Sequence, residues 1–360
     1  MKLLLFMPSF RGGGAEKVFV NLANYLSKFH DVTIAVCQEL GPNKKLLCDR
    51  VKIVSYNKKN IFKSFFKHKN LILEIGPDMV FSNTVSCNAI SFLVGFYLKK
   101  VYRVTTLFIG REANIVNAKD FKSKLRDILA YRTYALADGL VFNSLNTKES
   151  VLKVQCRLNL IKSKVISNPV LDKKIDENCN LSLNKSRLIK IISVGRLSIQ
   201  KNHNLSIEVV KNLVEKGFDV ELDIYGVGSL EDELLSKIID CRLENQVRLK
   251  GYVEDVSSLY KEYDLFLIAS LWEGFGNVIV EALAAGLPIV ATNSKGGVPE
   301  LLCDKDYGEV CEFNEEDLAC AIVGEFKGNS RIKAIKRIKK ANEFTLDVIG
   351  EKYRDFLENV

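Results

Sequence analysis

Two glutamates, Glu273 and Glu281, stand with seven residues between them in the stretch EGFGNVIVEALAAGLPIVAT. Before them Leu265 to Ile268 is a short apolar run of strand type, Gly274 and Gly276 open a loop, and Val278 to Ala285 has helical apolar spacing. Strand, loop and helix in that order set Glu273, Phe275, Gly276 and Asn277 at a helix N-terminus, where backbone N–H groups and roughly half a positive charge favour an anion. Glu281 follows about two turns along. Glutamates near a helix start ordinarily serve the dipole and face water. Here the helix is too apolar for a surface element and closes on Gly286 with Pro288 beyond. Carboxylates on such a buried crossover helix need hydroxyl or amide partners, which a sugar and a ribose would supply.

A second constellation lies upstream. Leu188 to Val194 reads as a strand, GRLSIQKNH as a loop, and the residues from about Asn204 as a helix, so Arg196 and Lys201 flank a helix start. Arg offers a planar fork and Lys a point charge, a combination that could clamp a diphosphate, although cations in loops are usually solvated. Leu222 to Gly226 with Gly228 repeats the strand and glycine loop, and Val247 to Gly251 leads to Tyr252.

The elements that must position these groups follow from alternation. Lys2 to Phe10 reads as a strand, Gly12 to Gly14 as a turn and Ala15 to Lys28 as a helix, a glycine cradle without the G-x-G-x-x-G spacing of a dinucleotide site. Strands at Val51 to Ser55, Met79 to Ser82, Val101 to Phe108 and Gly139 to Asn143 alternate with helical stretches such as Ala89 to Leu98, which implies parallel sheets with helices on both faces. The segment Ile109 to Asn114 lies where ligands bind in such sheets and carries Arg111 and Glu112, either site residues or an exposed loop salt bridge. The polar stretch 171–187 is the expected linker. The predicted fold is α/β, two Rossmann-like doubly wound parallel-sheet domains at 1–170 and 188–340, with a terminal helix in 341–360.

Composition narrows the class. Nine cysteines, an odd number without a C-x-x-C pair, suggest neither a disulfide framework nor a zinc site and fit a reducing cytosol. The formal charge is +8, yet nothing resembles a nucleic-acid module. Asn57 to Lys69 gathers Lys58, Lys59, Lys63, Lys67 and Lys69 among Ile61, Phe62, Phe65 and Phe66, an amphipathic helix that packs on its own domain or meets an anionic membrane. Asp304 to Asp306 forms a D-x-D string in a polar loop, discounted as a metal-nucleotide site, and Arg331 to Lys340 reads as a solvated basic helix.

The stretch from Glu273 to Thr292, followed by Gly296 to Glu300 (GGVPE), resembles the signature of retaining GT-B glycosyltransferases of family 4, the glycosyl transferases group 1. The resemblance is strong over Leu188 to Glu300 and looser before. It implies that Glu273, with Phe275, Gly276, Asn277 and Val278, holds the donor sugar, that Glu281 binds the donor ribose, and that Gly195, Arg196, Lys201 and Gly226 surround the diphosphate, with Tyr252 near the base. Gly13 and Gly14 resemble the family's first loop, beside the acceptor, where Glu16 is a helix-dipole partner or an acceptor contact. Many relatives carry a histidine near Arg111; this chain has Arg111 and Glu112 instead, which leaves the acceptor side the less defined. The resemblance implies a retaining, metal-independent transfer of a hexose or N-acetylhexosamine from a nucleoside-diphosphate sugar, a UDP-sugar first, to a growing surface glycan such as a lipopolysaccharide, O-antigen, capsule or polyprenol-linked oligosaccharide, with no cofactor, and a terminal helix in 341–360 that crosses back to the first domain; the cysteines fit a cytoplasmic enzyme, and the basic segment 57–69 is where it would meet the membrane. A sugar-nucleotide epimerase or hydrolase of GT-B fold, and a non-catalytic membrane- or glycan-binding relative, are the alternatives.

Overall fold

A computed structural model describes residues 1–11, 13–116, 121–177 and 187–360. Two compact units result, Met1–Lys173 with Thr345–Val360, and Lys174–Phe344. Most of the expected linker, residues 178–186, lies outside the described residues, as does Gly12 of the expected first turn.

The first unit carries β1 (Lys2–Ser9), α1 (Gly14–Leu26), β2 (Asp31–Gln38), β3 (Lys52–Ser55), α2 (Phe65–Ile75), β4 (Met79–Asn83), α3 (Val85–Val101), β5 (Leu107–Glu112), α4 (Phe121–Thr133), β6 (Gly139–Phe142), α5 (Leu145–Leu152) and β7 (Lys162–Val165). The second carries β8 (Ile189–Val194), α6 (His203–Glu215), β9 (Val220–Tyr225), α7 (Glu231–Asp240), β10 (Val247–Gly251), β11 (Leu265–Ile268), β12 (Trp272–Glu273), α8 (Asn277–Ala284), β13 (Ile289–Thr292), β14 (Lys295–Gly296), α9 (Val298–Leu301), β15 (Gly308–Cys311), α10 (Glu315–Gly328) and α11 (Arg331–Asn342). The closing helix α12 (Leu346–Glu358) belongs to the first unit.

The two main sheets are parallel, in the orders β3-β2-β1-β4-β5-β6-β7 and β10-β9-β8-β11-β13-β15. Helices cover both faces, so the central strands are apolar on both sides: Leu3 to Met7 in β1 and Leu265 to Ile268 in β11 are all buried. Strand order reverses between β1 and β4 and again between β8 and β11, the places where loops diverge and leave a crevice at the carboxyl ends. The loops bearing Gly13, Arg196 and Glu273 leave strands at these two points.

Two expectations need correction. The strand expected over Val101 to Phe108 is not one: α3 continues to Val101, Arg103 turns the chain with φ 56°, and β5 starts only at Leu107, in register with Met79. The basic helix α11 is not simply solvated, because Ala334, Arg337, Ile338 and Ala341 form a buried stripe. The Arg337 guanidinium there is fully buried and donates to the Gly286 carbonyl, to Asn329 at 2.8 Å and to Glu325 at 3.2 Å.

Buried histidine rings in both units make stability depend on acid. His68 in α2 lies between Tyr56, whose hydroxyl is 2.7 Å from Nδ1, and Ser91 of α3, 3.2 Å from Nε2. Burial pushes its pKa down to about 3, and burial followed by the Lys201 charge pushes that of His203 down to about 4. Both rings stay neutral in the fold while the unfolded chain takes up protons below about pH 6.5, so stability should fall from there towards those lower values, by about 2 kcal/mol per histidine at pH 5. Urea unfolding at pH 7 and pH 5 checks this, and in His68→Gln the acid loss of the first unit should shrink by that amount.

Candidate active site

The loop after β8 is built by close backbone approach. Gly226 holds φ 144°, and a Cβ there would sit 2.0 Å from the Gly195 carbonyl oxygen, so only glycine lets the loops after β8 and β9 meet. Gly195 N–H donates to the Tyr225 carbonyl and Leu197 N–H to that of Val227, which ties the two loops together. The aliphatic stem of Lys201 lies across Gly195, where a Cβ would come within 2.9 Å of Cδ and Cε. The Gln200 side chain donates to the Trp272 carbonyl, and Leu271 N–H donates to the Gln200 carbonyl, joining this loop to the one after β11.

The result is an ion pair at the switch point of the second sheet. Lys201 Nζ is 2.6 Å from Glu273 Oε1, the side chains are 14% and 8% exposed, and the Ser270 hydroxyl donates to the same oxygen at 2.7 Å. Glu273 is held by pairing of β12 with β14, opposite Gly296. Arg196 is exposed on the same loop as Lys201. Gly276 at φ 98° starts α8, whose N-terminus carries Asn277 and Val278, both half-buried. Phe275 is buried and packs edge-on to Phe344 at 5.5 Å, so it is the backbone of this position, not the ring, that faces the loop. A partly neutralised carboxylate between two glycine-rich helix starts can bind hydroxyls, while the lysine and the helix dipoles favour a phosphate.

Glu281 is half-buried on α8, and Tyr260, itself fully buried, donates its hydroxyl to Oε2 at 3.2 Å. Burial, then the Glu281 charge, raises the phenol well above its usual range, so it remains a donor at any working pH. Tyr260→Phe keeps the ring and removes that bond; a ligand hydroxyl held by Glu281 should then bind about tenfold more weakly with the melting temperature nearly unchanged, measurable by titration calorimetry. Tyr252 is 62% exposed just past Gly251, whose carbonyl accepts from Gly226 N–H. Asp306 of the D-x-D string is paired with Lys336.

In the first unit the glycine cradle caps α1. Gly13 is its N-cap, Gly14 is exposed, and the Glu16 side chain folds back so that a Cβ on Gly13 would meet its carboxylate at 2.1 Å. This is the helix-dipole placement of Glu16.

Arg111 and Glu112 depart from the loop expected of them. They are the last residues of β5, both fully buried, and their side chains go to different partners. Arg111 donates through Nε to the Tyr353 hydroxyl of α12 and through NH1 to Asn83 Oδ1, both at 2.9 Å, and through NH2 to Asn168 Oδ1 at 2.5 Å. Asn83 in turn donates to the Ala15 carbonyl at 3.2 Å, so Arg111 braces the first turn of α1 from beneath. Glu112 accepts from the Tyr134 hydroxyl at 2.7 Å and from the Ala113 and Asn114 N–H groups; burial nevertheless raises its pKa. Neither side chain reaches the surface to touch an acceptor. The residues that sequence reasoning passed over are these partners, Asn83, Asn168, Tyr353, Ser270 and Tyr260. Ser270, three residues before Glu273, carried the nearest thing to a signal.

Comparison with known proteins gives the class. Residues 175–326 match the model for glycosyl transferases group 1, and residues 12–172 match that for glycosyltransferase family 4. An uncharacterized glycosyltransferase of Methanocaldococcus jannaschii is 29% identical over 71% of this chain and 67% of its own length. The N-acetylgalactosamine-N,N'-diacetylbacillosaminyl-diphospho-undecaprenol 4-alpha-N-acetylgalactosaminyltransferase of Campylobacter jejuni is 28% identical over 88% of this chain and 87% of its own. Anabaena HepE, crystallised with UDP-glucose, superposes with a TM-score of 0.79 over the whole of both chains at 21% identity. The fold is GT-B, and the chain belongs to the family 4, group 1 glycosyltransferases.

Proposed function

We propose that this glycosyltransferase is a retaining, metal-independent hexosyl- or N-acetylhexosaminyltransferase that uses a UDP-sugar to extend a lipid-linked or surface glycan. The observation that carries the reading is the Lys201–Glu273 pair, set by Ser270 at the switch point of the second sheet and flanked by Arg196 and the N-terminus of α8. The donor half draws support from HepE, which was crystallised with UDP-glucose. The acceptor half draws support from the Campylobacter relative, whose named acceptor is a diphospho-undecaprenol glycan.

Arg196, Lys201 and the start of α6 take the diphosphate and stabilise the charge that grows on it as the glycosidic bond breaks. Glu273 and the backbone of residues 275–277 hold the sugar hydroxyls, and Glu281, oriented by Tyr260, takes the ribose. The acceptor hydroxyl attacks from the face the diphosphate leaves, and its proton passes to a phosphate oxygen of the leaving group. Glu112 is fully buried and hydrogen-bonded to Tyr134, and the Arg111 guanidinium has donors only, so neither is placed to serve as a base, which fits a transfer that needs none. The test is incubation with a panel of UDP-sugars and polyprenyl-diphosphate-linked acceptors in the presence of a chelator, with the anomeric configuration of the product read by NMR. An inverted anomer, transfer that stops with the chelator, or donor turnover with no acceptor requirement would each overturn it.

A further inference from the structure

Helix α3 is apolar on two opposite faces. One face, including Ile90, Val94 and Leu98, is buried against the first sheet. The other presents Leu93, Phe96, Tyr97 and Val101, at helical spacing and between 38% and 57% exposed, with Tyr102 just beyond at 48%. A helix apolar all round belongs inside a protein or against lipid, and this one has only its inner face covered. Its sequence contains no acidic residue.

Helix α2 adds charge to the same surface. The turn before it and its first residue pack Ile61 and Phe65 inward, while Phe62 and Phe66 stand 53% and 72% exposed among Lys59 and Lys63. The expectation of a single apolar face over residues 61–66 is corrected by this split. The His68 bridge to Ser91 ties α2 to α3, and Lys69 lies 5.9 Å from the Tyr102 ring, so the exposed aromatic residues of both helices are carried on one packed helix pair. Among the described residues, Lys58, Lys59, Lys63, Lys100 and Arg103 form no ion pair, and Glu74 is the one acid on either helix. Single exposed apolar residues are ordinary, whereas a fixed patch of this kind marks an interaction surface.

We propose that the outer face of α2 and α3 docks on an anionic lipid bilayer, with the aromatic side chains at headgroup depth and the lysines on lipid phosphates. Among the described residues no helix is long and apolar enough to cross a membrane, so the contact is interfacial. Charge selects this occupant: a two-fold dimer through the face would set lysines against lysines, whereas an anionic leaflet complements them. The surface is separate from the donor-site residues, and its test does not depend on the transfer reaction.

The full chain is sedimented with vesicles of phosphatidylcholine alone, or with roughly one-third phosphatidylglycerol added, at low and at physiological salt. Binding is expected to the anionic vesicles only and to weaken with salt. The double variant F66D/F96D should bind at least about tenfold less, and each of K59Q, K63Q and K100Q about fivefold less, with unchanged melting temperatures since all these side chains are exposed. Equal binding to neutral vesicles, no binding to either, or variants that bind like the wild type would overturn the proposal. So would a lipid-free dimer, seen by light scattering, that F66D/F96D dissolves, because the face would then be covered by a second copy.

Discussion

Lys201→Ala is expected to lower transfer about 10²- to 10³-fold and to remove the stabilisation that UDP gives the wild type in a thermal-shift assay. The lysine has two duties that a single substitution mixes. It supplies a cation for the departing diphosphate, and it neutralises Glu273, whose carboxylate is 2.6 Å away and 8% exposed. Taking away one partner of so buried a pair leaves an orphan charge and costs about 3–5 kcal/mol, so the variant should also melt early. The double variant K201M/E273Q separates the duties. With both charges gone and Ser270 still able to donate to the amide oxygen that replaces the carboxylate, most of the lost stability should return, while the UDP shift, which does not involve the sugar hydroxyls assigned to Glu273, should not. Recovery of the UDP shift along with stability would mean that Lys201 only neutralises Glu273 and takes no part in holding the diphosphate.

Arg111→Leu is the second large effect, and it falls on the fold. The guanidinium is fully buried and is the donor shared by Asn83, Asn168 and Tyr353. Leucine fills part of the volume and leaves three buried acceptors without this donor, so the first unit should lose about 3–5 kcal/mol in urea unfolding. Arg111→Lys, with one point charge in place of the fork, should recover only part of it. Tyr353→Phe, which removes the acceptor of Arg111 Nε and the weaker bond that the hydroxyl donates to the Ile166 carbonyl at 3.4 Å, should cost about 1–3 kcal/mol. A normal unfolding midpoint for Arg111→Leu combined with a raised acceptor KM would instead turn this side chain outward and restore it to the acceptor site.

What the sequence disclosed and what it hid follow one physical line. Buried parallel strands are apolar runs closed by glycine, so β1, β8 and β11 and the loops beyond them could be read directly, as could Arg196, Lys201 and Glu273 as loop residues. The pairing of Lys201 with Glu273 was not legible, because it is made by the adjacency of β8 and β11 and not by anything local to either residue. Arg111 and Glu112 misled for the opposite reason. Charged residues after an apolar run look like a loop, and only partners far along the chain, Asn83, Asn168, Tyr134 and Tyr353, make it tolerable to bury them. Arg337 was different: Ala334, Arg337, Ile338 and Ala341 already sit at positions i, i+3, i+4 and i+7, and the inward stripe was hidden only by the surrounding lysines.

The bond from Arg111 to Tyr353 also sets an order of events in the cell. β5 leaves the ribosome early, yet the phenol that completes its end arrives only with α12, after the whole of Lys174–Phe344 has been made. At ~5–20 residues per second the chain from Asn168 to Tyr353 takes roughly 9–37 s to make, during which Arg111 lacks one of its three partners and the surface of α1 that packs on α12 is bare. The second unit, continuous in the chain, can close before the first. The last contacts of the first unit are therefore made only after the second unit has been synthesised.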